Sequence, residues 1–154
     1  MKKETRNFDL TDILTIVTHI GCSVDDGAGT YLILEHMMGE NWGGFDHGQS
    51  LYGLTEPILE QHQELRKIDI EAFRRSLKNP PEETSIEGIL SRFVEEQKGI
   101  YGATLALAPL PPESYEDRQI RIRDAILSIV PEPERGETWV TLYCMIQAGK
   151  AMYN

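Results

Sequence analysis

Cysteine is scarce in this chain and poorly placed for chemistry. Cys22 and Cys144 lie far apart and neither belongs to a C-x-x-C pair, which excludes a zinc ribbon or a dithiol redox centre. Two buried free thiols in a reducing compartment are the simpler reading. No run of about 18 apolar residues occurs, so the sequence offers no membrane-spanning helix. The opening M-K-K-E-T-R-N-F-D-L carries two lysines but lacks the apolar stretch and small-residue cleavage site of a signal peptide. The sequence has no H-x-x-x-H or H-E-x-x-H, no G-x-S-x-G and no G-K-[ST]. The compact signatures of zinc hydrolases, serine hydrolases and P-loops are therefore missing. Positive charge is short too, and unevenly so. Residues 1–65 hold 3 Lys/Arg against 11 Asp/Glu, residues 66–114 hold 7 against 8, and residues 115–154 hold 5 against 6, for a net charge of −10. An acidic field concentrated in the N-terminal part repels nucleic acid and attracts basic protein surfaces or metal ions.

What remains is the make-up of an ordinary globular domain: 154 residues, 40% hydrophobic and 26% charged. One domain is expected over 1–154, with its core in 8–112 and a C-terminal extension over 113–154. Residues 1–8 read as a polar lead-in. Leu10, Ile13, Leu14 and Val17 recur at helical spacing, with Asp9 or Thr11 as cap and Gly21 as stop. A second helix is predicted from residues 23–26 up to Gly39, a natural C′ residue. A loop follows over 40–54. Thr55-Glu56-Pro57 then starts a third helix with proline in its first turn. Ile68-Asp69 opens a short fourth helix, and the capping box Thr84-x-x-Glu87 opens a fifth that stops at Gly99.

Residues 101–108 alternate weakly and read as extended. Residues 116–130 favour a helix, and 138–145 stand evenly between strand and helix. The predicted class is α+β and predominantly helical. It has five to six short helices, with a small two- or three-stranded sheet or extended segments in the C-terminal half. An all-α bundle is the alternative if those segments do not pair.

The stretch 31–52 puts the most chemically able groups into irregular backbone. Trp42, Phe45 and Tyr52 stand between glycines, away from a helical stripe. Such aromatics suit anchors in a partner's pocket, ringed by Glu40 and Asp46 and flanked by Asn41, His47 and Gln49. The alternative is that Trp42 and Phe45 turn inward and plug the core. A metal reading would use His36, Asp46 and His47, helped by Glu35, Asp25, Asp26 or His62. Adjacent pairs such as Glu35-His36 and Asp46-His47 diverge rather than converge, so no metal or other cofactor is expected. Cys22 with His19 is too close in sequence for an obvious catalytic relay. The glycines from 39 to 48 lack the lysine of a phosphate loop, and the acids there would repel phosphate.

Several of these residues carry a resemblance. Leu10-Thr11-Asp12-Ile13-Leu14 with Thr18, then Tyr31-Leu32-Ile33-Leu34, Met38-Gly39-Glu40-Asn41, His47 and Gln49 resemble an uncharacterised family of small tailed-phage and prophage proteins. Ile58-Leu59-Glu60-Gln61-His62, Tyr101-Gly102 and Pro109-Leu110-Pro111 extend the similarity over roughly residues 8–112. Gly48 separates His47 from Gln49, where the family pattern joins histidine to glutamine directly. The resemblance implies a setting, a phage or prophage accessory gene acting in the cytoplasm of a bacterial host, rather than a chemistry.

Three expectations follow. The first is an acidic accessory protein that binds a host or phage protein through a basic surface. It would inhibit a nucleic-acid-binding or antiviral defence enzyme, without touching nucleic acid or membrane itself. The second is a small metal-dependent enzyme built on His36, Asp46 and His47. The third is an assembly component, and exposed Leu110, Trp139 and Tyr143 would make a homodimer reasonable.

Overall fold

In the computed structural model, residues 4–22, 25 and 27–129 are described. The chain begins with β1 (Arg6–Asp9), which runs directly into α1 (Leu10–Thr18). Asp9 is the pivot: its carboxylate accepts from the Thr11 N–H at 2.8 Å and caps α1. The later part of the predicted polar lead-in, residues 6–8, is thus strand, because Phe8 is buried and the segment finds a partner. That partner is β2 (Thr104–Leu107), antiparallel, in a register that sets Arg6 opposite Leu107 and Asp9 opposite Thr104. The extended reading of 101–108 therefore holds for 104–107, while Tyr101 belongs to α5, and the sheet pairs this segment with the start of the chain. Residues 138–145 lie outside the described residues.

Next come α2 (Ala28–Met38), α3 (His47–Gln61), a 3₁₀ turn (Gln63–Lys67), α4 (Ile70–Lys78), α5 (Ile86–Tyr101) and α6 (Tyr115–Ile129). With the two-stranded sheet this is an α+β fold dominated by helices. Caps explain most boundaries. Asp69 accepts from Ala72 N–H to start α4, and Ser85 accepts from Gly88 N–H to start α5, one residue after the predicted Thr84. α5 also runs past Gly99 and stops at Gly102. α1 ends at Thr18 rather than Gly21, with His19 in the left-handed region at φ 61°.

The main departure is α3. Residues 47–54, expected as loop, are helical, so Pro57 sits inside a helix rather than in its first turn. Asp46 and Gln49 close a capping box: the Asp46 carboxylate accepts from Gln49 N–H at 2.8 Å, and the Gln49 amide oxygen accepts from Asp46 N–H at 3.2 Å. Proline has no N–H to offer the carbonyl one turn back, which is that of Gly53. Arg121 of α6 supplies the missing donor at 2.5 Å. Gly53 also lets α6 come close, since a Cβ there would meet Ile122 Cγ1 at 2.8 Å.

α3 is consequently the hub, packed against α1, α2 and α6. Leu51, Leu54 and Ile58 from α3 meet Ile13, Leu14 and Ile33 in the core, all fully buried. Each such side chain contributes about 1.5–3 kcal/mol on burial.

The proline repair gives a stability prediction. Arg121→Ala should cost about 1–2 kcal/mol in urea unfolding, as for a lost charge-assisted bond. In a Pro57→Ala background the cost should shrink, because the new N–H at residue 57 serves the Gly53 carbonyl within the helix. Strict additivity of the two substitutions would contradict this account.

Candidate functional site

The segment 39–46 between α2 and α3 is an ordered turn. Trp42 folds back so that its Nε1–H donates to the Gly39 carbonyl at 2.8 Å, and Phe45 N–H donates to the Trp42 carbonyl at 3.2 Å. Gly43 N–H donates to Asn41 Oδ1 at 3.2 Å. α6 clamps the turn from above. Arg118 Nη1 donates to the Met38 carbonyl at 2.5 Å and to the Asn41 carbonyl at 2.6 Å, serving the end of α2 and the turn together. Gly43, at φ 65°, is where α6 presses closest, since a Cβ there would lie 2.8 Å from the Gln119 backbone. Glu113 ties the clamp, accepting from Arg118 Nε at 3.0 Å and Arg121 Nη2 at 2.7 Å. The Arg121 hydrogen bond, against opposing burial, holds its carboxyl below the usual range.

Around the turn the aromatic rings form a corner. Tyr31 meets Trp42 at 5.7 Å between centroids, 78° apart, and His47 at 5.7 Å, 89° apart. Trp42 and His47 are tilted to each other at 6.4 Å. Thr30 donates to the Gly27 carbonyl at 3.0 Å, so its hydroxyl receives the His47 Nε2–H at 3.1 Å. Burial lowers the pKa of His47, and the Asp46 charge pulls it the other way.

The predicted site residues fall into three groups. Glu40, Asn41 and Asp46 are exposed, whereas Trp42, Phe45, His47 and Gln49 are half-buried. Trp42 and Phe45 pack against the core and so combine plugging with a remaining exposed face. Tyr52 stands apart on α3, 2% exposed, and offers no surface to a partner. Sequence reasoning did not place Tyr31 among the partner-binding residues, and it considered Glu35 only as a possible metal ligand. Tyr31 is 43% exposed and completes the corner, and Glu35 is exposed one turn further along the same helix face. Their i, i+4 spacing beside the turn was the available signal.

The residues of the metal reading are spent elsewhere. His36 Nε2–H donates to the Leu107 carbonyl at 2.8 Å, with its ring 5.2 Å from Phe8, so it braces the sheet. Asp46 caps α3 and His47 serves Thr30. Asp25 accepts from Gly27 and Gly29 N–H at the start of α2, and His62 bonds the Ala106 carbonyl at 2.6 Å. Asp26 lies outside the described residues. Among the described residues no group of three His, Cys, Asp or Glu side chains is placed to hold a metal ion. His36, Asp46 and His47 therefore do not form the centre that the enzyme alternative requires.

Cys22 is buried, with its thiol donating to the Ile20 carbonyl at 3.3 Å, and burial pushes its pKa up to about 12. That removes it as a nucleophile near neutral pH. Leu110 is half-buried against the core, its N–H on the Met37 carbonyl, while Trp139 and Tyr143 lie outside the described residues. No described helix is long and apolar enough to cross a membrane.

Comparison with models of protein families, with curated proteins and with solved structures gives no match to this chain.

Beneath the site, Tyr52 stacks on His19 at 4.8 Å, and His19 Nε2–H donates to Thr55 Oγ1 at 2.9 Å while Thr55 donates on to the Ile16 carbonyl. Burial first, and the Arg74 charge second, lower the His19 pKa to about 3. A histidine depressed on folding binds its proton more readily in the unfolded chain. Its stability contribution is present above pH of about 6.5 and is lost as pH falls toward the folded value. Unfolding free energy should therefore decline below about pH 6.5, by at most about 1.4 kcal/mol per unit from this group. The decline should flatten in His19→Asn, since asparagine tolerates the left-handed backbone. An unchanged slope in the variant would contradict the assignment.

Proposed function

We propose that this chain is an acidic phage or prophage accessory protein. It binds a host protein through a basic surface and blocks a nucleic-acid-binding defence enzyme by occupying that surface with carboxylates. The observation that carries the reading is the Tyr31–Trp42–His47 corner held at the surface beside exposed Glu35, Glu40 and Asp46. Clamped aromatic area flanked by charge of one sign is the make-up of an interface centre with a steering rim. The surroundings reinforce that sign, because residues 7–65 contain ten Asp/Glu and no Lys or Arg. Such a field speeds encounter with a cationic partner and weakens with added salt.

The test is retention of a bacterial protein by the immobilised chain at low and high salt, with wild type beside a Glu35→Lys/Glu40→Lys variant. One protein held at low salt, released at high salt and reduced about tenfold or more by the double reversal is the expected result. A bait that retains nothing, or one indifferent to the reversal, contradicts the reading.

A further inference from the structure

We infer that the element recognised at this surface is an arginine side chain of the partner, its guanidinium lying against the Tyr31–Trp42 corner and paired with the Glu35 carboxylate. This rests on the docking reading above and makes it specific. Tyr31 is 43% exposed, and its ring stands 78° from the indole of Trp42, so two aromatic walls meet at the surface. The Nε1–H bond to Gly39 and the Arg118 clamp fix the indole before any partner arrives. Binding there incurs little ordering cost. Glu35 follows Tyr31 by four residues and extends from the same helix face. Arginine fits this arrangement better than lysine for three reasons. Its planar cation stacks on aromatic rings, it sheds water more easily than an ammonium, and its forked N–H groups match a carboxylate with two bonds. The chain's own arginines near the site do not compete, because Arg118 and Arg121 are committed to Glu113 and to backbone carbonyls.

The probes are a tetra-arginine and a tetra-lysine peptide of equal charge, titrated into the full chain at physiological salt. Binding is followed calorimetrically and through the chemical shift of the Trp42 indole N–H. The arginine peptide should bind about fivefold more tightly, move the indole resonance, and lose that advantage in Tyr31→Ala and in Glu35→Gln. Tyr31 is exposed enough that its truncation leaves the core intact, and the dispersion of the amide spectrum verifies this. Equal binding of both peptides, weakened alike by Tyr31→Ala, overturns the arginine assignment while leaving the docking surface standing. Binding that ignores Tyr31→Ala overturns both the assignment and the location of the surface. Absence of binding by either peptide overturns the assignment, and the lysate experiment then decides the broader reading separately.

Discussion

The carboxylate of Glu113, shared between Arg118 and Arg121, is the interaction on which the rest of the structure turns. It aims two guanidinium groups at three backbone carbonyls, two at the ends or defects of helices and one in the turn between α2 and α3. Those of Met38 and Asn41 are orphaned where α2 ends and the turn begins, and that of Gly53 is orphaned by Pro57. Bonds from an ionised donor are shorter and stronger than neutral ones, so a few contacts from one helix can hold a helix end, a turn and a helix defect together. Without α6 the turn at 39–46 would lose the Arg118 bonds to its Asn41 carbonyl and to the Met38 carbonyl before it, and Gly43 would lose the helix packed against it.

The same arrangement explains the charge pattern at the surface. The positive charges next to the turn point inward and are consumed by carbonyls and by Glu113, while Glu35, Glu40 and Asp46 stay exposed. Residues 7–65 contain no Lys or Arg, and Asp9 draws its cation from a later element, Lys98 at 3.3 Å. A cleft of about 520 Å³ whose charged lining is Asp9, Asp12, Asp25, Glu87 and Glu95 against Lys98 adds to this field. Beside the turn, then, the cations Arg118 and Arg121 serve internal architecture while the anions face solvent.

How much of this was legible depended on whether the deciding contact was local. Asp9, Asp69 and the stripe of Leu10, Ile13, Leu14 and Val17 announce their helices because cap and periodicity lie within a turn of one another. The start of α3 was misread because Gly48, Gly53 and Pro57 all argue against helix, and what overrides them is a donor 68 residues away. The Asp46-x-x-Gln49 spacing was the local clue, a capping box with aspartate and glutamine in the two roles. β1 was illegible for a related reason: a four-residue strand with one buried side chain becomes regular only through β2 at the far end of the core. Of the expected partner-binding residues, Trp42 and His47 stand 6.4 Å apart between ring centroids, whereas Tyr52 turned inward with the unrecognised helix. His36, lacking a patterned partner, went to the sheet.

The measurement that tests this account most directly is native-state hydrogen exchange in Arg118→Ala compared with wild type. If Arg118 holds the turn, the amides of Gly43 and Phe45 should exchange markedly faster in the variant, while those of α1, buried beneath, keep their protection. Turn amides that exchange at the wild-type rate, or protection lost uniformly across the chain, would contradict the claim that α6 pre-forms the surface.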